Sequence, residues 1–158
     1  MRGIGIVLLL GLAACGRGAV EEVAAPVSYR APGALIASTT RGGPSDLGGD
    51  WVVSQATPGG PVAPGTRVGV TPTGTGAVWR LGGAEVATAL TGPGRYSGGG
   101  REIWVVWVDD DFRTAAVGTP DGSFGWVMDR PGAASPDRTA AAREMLDFNG
   151  YDLARVGG

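Results

Sequence analysis

The chain has 158 residues, 43% of them apolar, 30 glycines and a net charge of −2, which suits one turn-rich β domain with a real core. It has no histidine and a single cysteine, which excludes Ser-His-Asp and Cys-His catalysis, His-ligated metals, Cys-cluster zinc sites and an intramolecular disulfide. All 13 basic residues are arginines scattered among 15 acids, so no dense basic face for nucleic acid forms.

Residues 1–15, MRGIGIVLLLGLAAC, start basic at Arg2, run apolar from Ile4 to Leu12 and end in small residues before Cys15. The apolar run is too short to span a bilayer and has the form of a secretory signal, residues 1–14. Leu12-Ala13-Ala14-Cys15 resembles the bacterial lipobox. That resemblance implies cleavage before Cys15 and lipidation of its thiol, and two or three acyl chains bury enough CH₂ groups, at about 0.8 kcal/mol each, to hold the protein on a membrane. Gly16 in place of Asp implies, by the same analogy, sorting to the outer membrane of the cell envelope with the domain facing the periplasm.

From Cys15 to Pro44 the chain is rich in Gly, Ala, Pro, Ser and Thr and reads as a tether, residues 15–44. Its one apolar patch, Leu35-Ile36, either docks on the domain or stays free. The domain proper is expected over residues 45–158. Pro44 to Leu47 reads as a short helical turn, after which Trp51, Val53 and Gln55 alternate with Val52 and Ser54 and so share one face of a first strand.

Further strands are expected at Thr66–Thr71, Ala77–Leu81, Glu85–Thr91 and Arg95–Ser97, separated by Pro-Gly and Gly-Gly turns. This middle portion is sparse in apolar bulk, and Gly98-Gly99-Gly100 suggests a bend or bulge, so the sheet is expected to be small or partly open. Three denser runs follow, Ile103–Val108, Phe112–Gly118 and Phe124–Met128, parted by Asp109-Asp110-Asp111 and by Thr119-Pro120-Asp121-Gly122. They read as an antiparallel meander. Ser135 is then a helix N-cap with Pro136 at N1; Ala141, Ala142, Met145, Leu146 and Phe148 form one docking stripe, and Gly150 ends the helix.

Gly49-Asp50-Trp51 resembles the G-x-W that opens the first strand of lipocalins, Val108-Asp109-Asp110-Asp111-Phe112 their second motif, and Arg130 the Arg that ends their last barrel strand. The run from Trp104 to Arg130, followed by a helix, is similar to the bacterial lipoprotein lipocalins in particular. Phe112 stands where an aromatic hydroxyl is usual and Ala115 where a second Tyr is common. Gly49 to Arg130 spans 82 residues, about ten per strand with its turn. The resemblance implies an all-β fold, an eight-stranded up-and-down antiparallel barrel with the C-terminal helix packed outside. An immunoglobulin-like sandwich would need neither the G-x-W nor that helix.

In such a barrel Arg130 would lie across Trp51 beside Gly49 at the floor. The family pattern counts inward from Asp109 to Trp107, Val105 and Ile103, from Arg130 to Met128, Trp126 and Phe124, and from Trp51 to Val53. Two fates stay open for these seven: lining a cavity for a small hydrophobic ligand of the fatty-acid or lysophospholipid class, or filling a small barrel whose surface binds a protein partner. The Asp109–Asp111 cluster lacks the spaced ligands of a calcium loop and reads as a solvated turn. No catalytic residue, metal or cofactor is expected, since the single Cys is taken by the anchor.

Overall fold

Eight strands follow one another in the computed structural model, which describes residues 26–158; the expected signal segment and Cys15 lie outside the described residues. After a helical turn, α1 (Pro44–Leu47), come β1 (Gly49–Ala56), β2 (Arg67–Pro72), β3 (Gly76–Leu81), β4 (Ala84–Gly92), β5 (Arg95–Gly98), β6 (Arg101–Val108), β7 (Thr114–Gly118) and β8 (Gly125–Asp129). Each pairs antiparallel with the next, and Val52, Val53, Gln55 and Ala56 of β1 pair with β8, so the sheet is a closed barrel rather than a partly open one. Closure leaves no strand edge to be protected.

The turns explain the tight connectivity. Gly99 and Gly100 both have positive φ, +57° and +72°, which is what a two-residue hairpin with the twist of its strands demands. Gly98 itself remains in β5. Between β7 and β8 the Gly122 N–H donates to the Thr119 carbonyl at 3.0 Å, with Gly122 at φ +71°.

The barrel has two ends. At the floor, β1 begins, β8 ends and the Asp109–Arg113 turn joins β6 to β7. At the mouth lie the β1–β2 loop (57–66), the glycine turns 82–83 and 99–100, and the β7–β8 loop (119–124). Helix α2 (Pro136–Phe148) runs along the outside of β6, β7 and β8 and is followed by a 3-10 turn, Leu153–Arg155. Ser135 is its N-cap and Pro136 its first residue, as expected. Its buried contacts are Ala142 and Leu146, while Phe148 is 77% exposed, so the docking stripe is narrower than the sequence suggests.

Past the helix, Tyr151 drops into a slot between strands. A Cβ at Gly118 or Gly125 would come within 2.5 and 2.7 Å of its side chain, so only glycine leaves room for the ring. The Tyr151 hydroxyl donates to the Phe124 carbonyl at 2.7 Å and accepts from the Thr119 N–H at 2.8 Å, and burial above all raises its pKa to about 12.

Part of the expected tether belongs to the domain. Residues 28–43 form a strap along the outside of the barrel, held by more than the Leu35-Ile36 patch. The Arg30 guanidinium, buried, donates to the carbonyls of Asn149 (2.7 Å), Pro120 (2.5 Å) and Ala34 (2.8 Å). The Ala37 N–H donates to the Asn149 side chain, Thr39 N–H to the Val105 carbonyl, and Arg41 pairs with Asp110. Ile36 packs on the outer cluster, whereas Leu35 is 90% exposed. Polar hydrogen bonds from Arg, Asn and backbone groups hold this strap, and hydrophobic patterning is blind to them.

Candidate functional site in the barrel interior

The floor is built from the motif residues. Trp51 is fully buried, its indole N–H donating to the Leu47 carbonyl at 2.8 Å, so α1 is tied beneath it. The Arg130 guanidinium lies 3.9 Å from the Trp51 ring centroid and donates to the carbonyls of Gly48 (2.8 Å), Asp46 (2.9 Å) and Phe112 (3.1 Å). Burial lowers its pKa, opposed by Asp50. Gly49, at φ +105°, has no side chain to crowd Arg130. Phe112 sits in the turn with φ +54°, outside β7, and packs its ring against the inner cluster.

Asp109 is not solvated as expected. It is buried and accepts from the backbone N–H groups of Arg113 (2.6 Å) and Thr114 (2.7 Å) and from the Arg113 guanidinium (3.2 Å). Burial pushes its pKa up, but these donors and the Arg113 charge more than offset that, leaving it below the usual carboxylate value. Asp110 and Asp111 remain exposed beside Arg41 and Arg113. Among the described residues no group of three or more His, Cys, Asp or Glu gathers closely enough to hold a metal.

Six of the seven inward candidates face the interior: Val53, Ile103, Val105, Phe124, Trp126 and Met128. Trp107 does not. The β6–β7 register skips from Val105↔Val117 to Trp107↔Ala116, so a bulge at Val106 turns Val106 and Trp107 outward onto the α2 side and Val108 inward. Counting back in twos from Asp109 therefore fails at Trp107, before the bulge, and meets the inner face only beyond it, at Val105 and Ile103.

The sequence reading also missed Trp79 and Tyr96, two of the largest fully buried side chains, which meet edge to face at 5.3 Å inside the barrel. Burial, then the charge of Asp46, raises the Tyr96 pKa to about 12. Both residues stand in strands expected from the sequence. Extending the inward parity to Val68, Val70, Ala77 and Trp79 would have found the indole; the many glycines nearby masked it.

Two properties of the interior bear on what it does. First, it is filled. Of the inner cluster only Ala56 (6%), Val62 (6%), Leu81 (4%), Val86 (8%) and Phe124 (5%) exceed 2% exposure, and all five stand at the mouth end. A cavity wide enough for an acyl chain would leave accessible area on the deeper side chains. Second, it is apolar but not donor-free. The indole N–H groups of Trp79 and Trp126 are buried without an acceptor among the described residues, which is costly and uncommon for tryptophan. Trp126 is stacked on Phe124 at 5.3 Å, directly beneath the mouth, where a hollow of about 480 Å³ has Phe124, Arg101 and Thr119 among its walls.

Closed strand order, plugged floor and external helix together define a lipocalin-like barrel. Solved structures agree: apocrustacyanin C2 is 11% identical, with a TM-score of 0.50 over 78% of this chain and 87% of that one. Lobster apocrustacyanin A1 is 13% identical, with a TM-score of 0.50 over 71% and 76%. At such identity the likeness is one of fold. No family model and no curated protein matches the chain.

Proposed function

We propose that this chain is a lipid-anchored envelope protein whose barrel takes up one small hydrophobic molecule bearing an oxygen acceptor, of the fatty-acid or lysophospholipid class, and does no chemistry on it. The observation that carries this reading is the pair of buried indole donors in an otherwise apolar barrel. A carboxylate, ester or hydroxyl oxygen would satisfy either donor, and the alkyl chain would replace side-chain contacts already apolar. Because the interior is filled, uptake is by displacement. The Phe124–Trp126 stack, lying between the mouth hollow and the deeper residues, is the part that moves. Ligand sites of this kind occupy about 300 Å³ or more, so the rearrangement extends beyond one rotamer.

The anchor rests on Leu12-Ala13-Ala14-Cys15, and an outer-membrane, periplasm-facing position on Gly16. The absence of a histidine, with the single Cys used for lipidation, supports a carrier rather than an enzyme. A second reading is favoured by the exposures of 2% or less deep in the barrel: a solid scaffold whose surface binds a protein. Native mass spectrometry after mild extraction separates the two. The carrier reading expects one co-purifying lipid per chain and a tryptophan emission change when palmitate or lysophosphatidylethanolamine is added to delipidated protein. Ligand-free mass with no emission change supports the scaffold.

A further inference from the structure

We infer that the mouth of the barrel, not its floor, rests on the bilayer that carries the anchor, so that a ligand passes directly between membrane and barrel. This deepens the anchored-carrier reading and rests on it. The first observation is where the strap begins. The Tyr29 N–H donates to the Gly122 carbonyl at 2.7 Å and the Tyr29 hydroxyl to the Pro58 carbonyl at 2.6 Å, which fixes the start of the described chain to two mouth loops. The strap then descends, and Arg41 reaches Asp110 at the floor. Twelve residues separate Cys15 from Ser28, and fully extended they span about 40 Å. With β1 rising about 26 Å before tilt, a floor-down orientation would spend most of that reach running back along the barrel, whereas a mouth-down one needs little of it.

The second observation is the distribution of charge. The four mouth connections contain one charged residue, Asp121, and the strand ends beside them carry Arg67, Glu85, Arg101 and Glu102, which cancel. At the floor charges are dense, with Asp50, Asp110 and Asp111 exposed and paired with Arg80, Arg41 and Arg113. Laying the floor on a bilayer would strip those charged groups of water, whereas the nearly uncharged mouth loops lose little. Third, three of the four large exposed apolar side chains among the described residues lie toward the mouth, the exception being Leu90 (40%) near the floor end of β4. Val27 (56%) precedes Tyr29, while Leu35 (90%) and Phe148 (77%) flank the contact of Ala34 with Gly150, where α2 ends beside the mouth loops. Such residues gain by entering the headgroup boundary.

The test uses the full chain, processed in cells so that Cys15 is acylated and any introduced thiol is the only free one. Gly83→Cys places a fluorophore on the β3–β4 turn at the mouth, and Gly74→Cys one on the β2–β3 turn at the floor. Both glycines are exposed, have nothing within 4 Å of an added Cβ and lack positive φ. In vesicles of phosphatidylethanolamine and phosphatidylglycerol doped with nitroxide-headgroup lipid, the label at 83 is expected to be quenched about three-fold or more over the label at 74. Equal quenching, or stronger quenching at 74, in protein that floats with the vesicles overturns the orientation and leaves the anchor standing. Protein that does not float and whose N-terminal peptide lacks diacylglycerol overturns the anchor and the orientation with it.

Discussion

Replacing Arg130 with Met removes a guanidinium that serves as lid over Trp51 and as donor to carbonyls of two separate segments, Asp46 and Gly48 at α1 and Phe112 in the β6–β7 turn. The cation–π contact contributes about 0.5 to 2 kcal/mol. Each hydrogen bond from a charged donor contributes about 1.5 to 3 kcal/mol when buried. The site is half-exposed, so the freed carbonyls recover much of that from water, and the contributions overlap. The expected loss is about 3 kcal/mol, a shift of roughly 1.5 to 2 M in the urea midpoint for a domain of this size. Arg130→Lys keeps the charge but reaches one carbonyl at a time, so it should recover less than half. Urea melts followed by far-UV circular dichroism, which does not depend on the disturbed indole, provide the measurement. A midpoint for the Met variant within about 0.5 M of the parent, or full recovery by Lys, would refute the floor as the joint that closes the barrel.

Tyr151→Phe strands the Thr119 N–H and the Phe124 carbonyl in a buried slot and should cost about 2 kcal/mol in the same melts. Tyr96 and Tyr151, with pKa values raised to about 12, contribute stability that is complete below pH 10.0 and lost as pH rises toward 12; absorbance titration should find both ionising late and together with unfolding. Asp109 has the opposite sign: its depressed pKa contributes stability present above the usual value of 3.8 and lost as pH falls through the lower folded value, and Asp109→Asn should flatten that acid limb. Trp107→Ala, on the outer face, should cost about 1 to 3 kcal/mol of stability while leaving ligand uptake unchanged; altered affinity in folded protein would return Trp107 to the interior.

Most of the barrel was legible because its signals are local. Turn formers bracket every strand, and the G-x-W, the acidic turn and Arg130 lie where a floor needs them. What escaped was non-local or broke the rule being used. The bulge at Val106 lies within Trp104-Val105-Val106-Trp107-Val108, where both faces are apolar and alternation gives no warning. The strap is fastened by Arg30 and Asn149, 119 residues apart, and composition alone gave it the look of a linker. Trp79 and Tyr96 were hidden by sparse surroundings, since a few large side chains fill a barrel as well as many small ones. Phe148 follows Leu146 by two residues, about 200° round the helix, so it points to solvent once the Ala142–Leu146 face docks on the barrel.

The proposed uptake requires a ligand oxygen to accept from the Trp79 or Trp126 indole, both of which lack an acceptor among the described residues. Indole N–H resonances in ¹⁵N-correlated NMR spectra, recorded while palmitate is added to the delipidated protein, test it directly. Saturable downfield movement of the Trp79 or Trp126 signal, with that of Trp51 held by its bond to Leu47, is the predicted result. Unchanged Trp79 and Trp126 signals at saturating palmitate and lysophosphatidylethanolamine would contradict it.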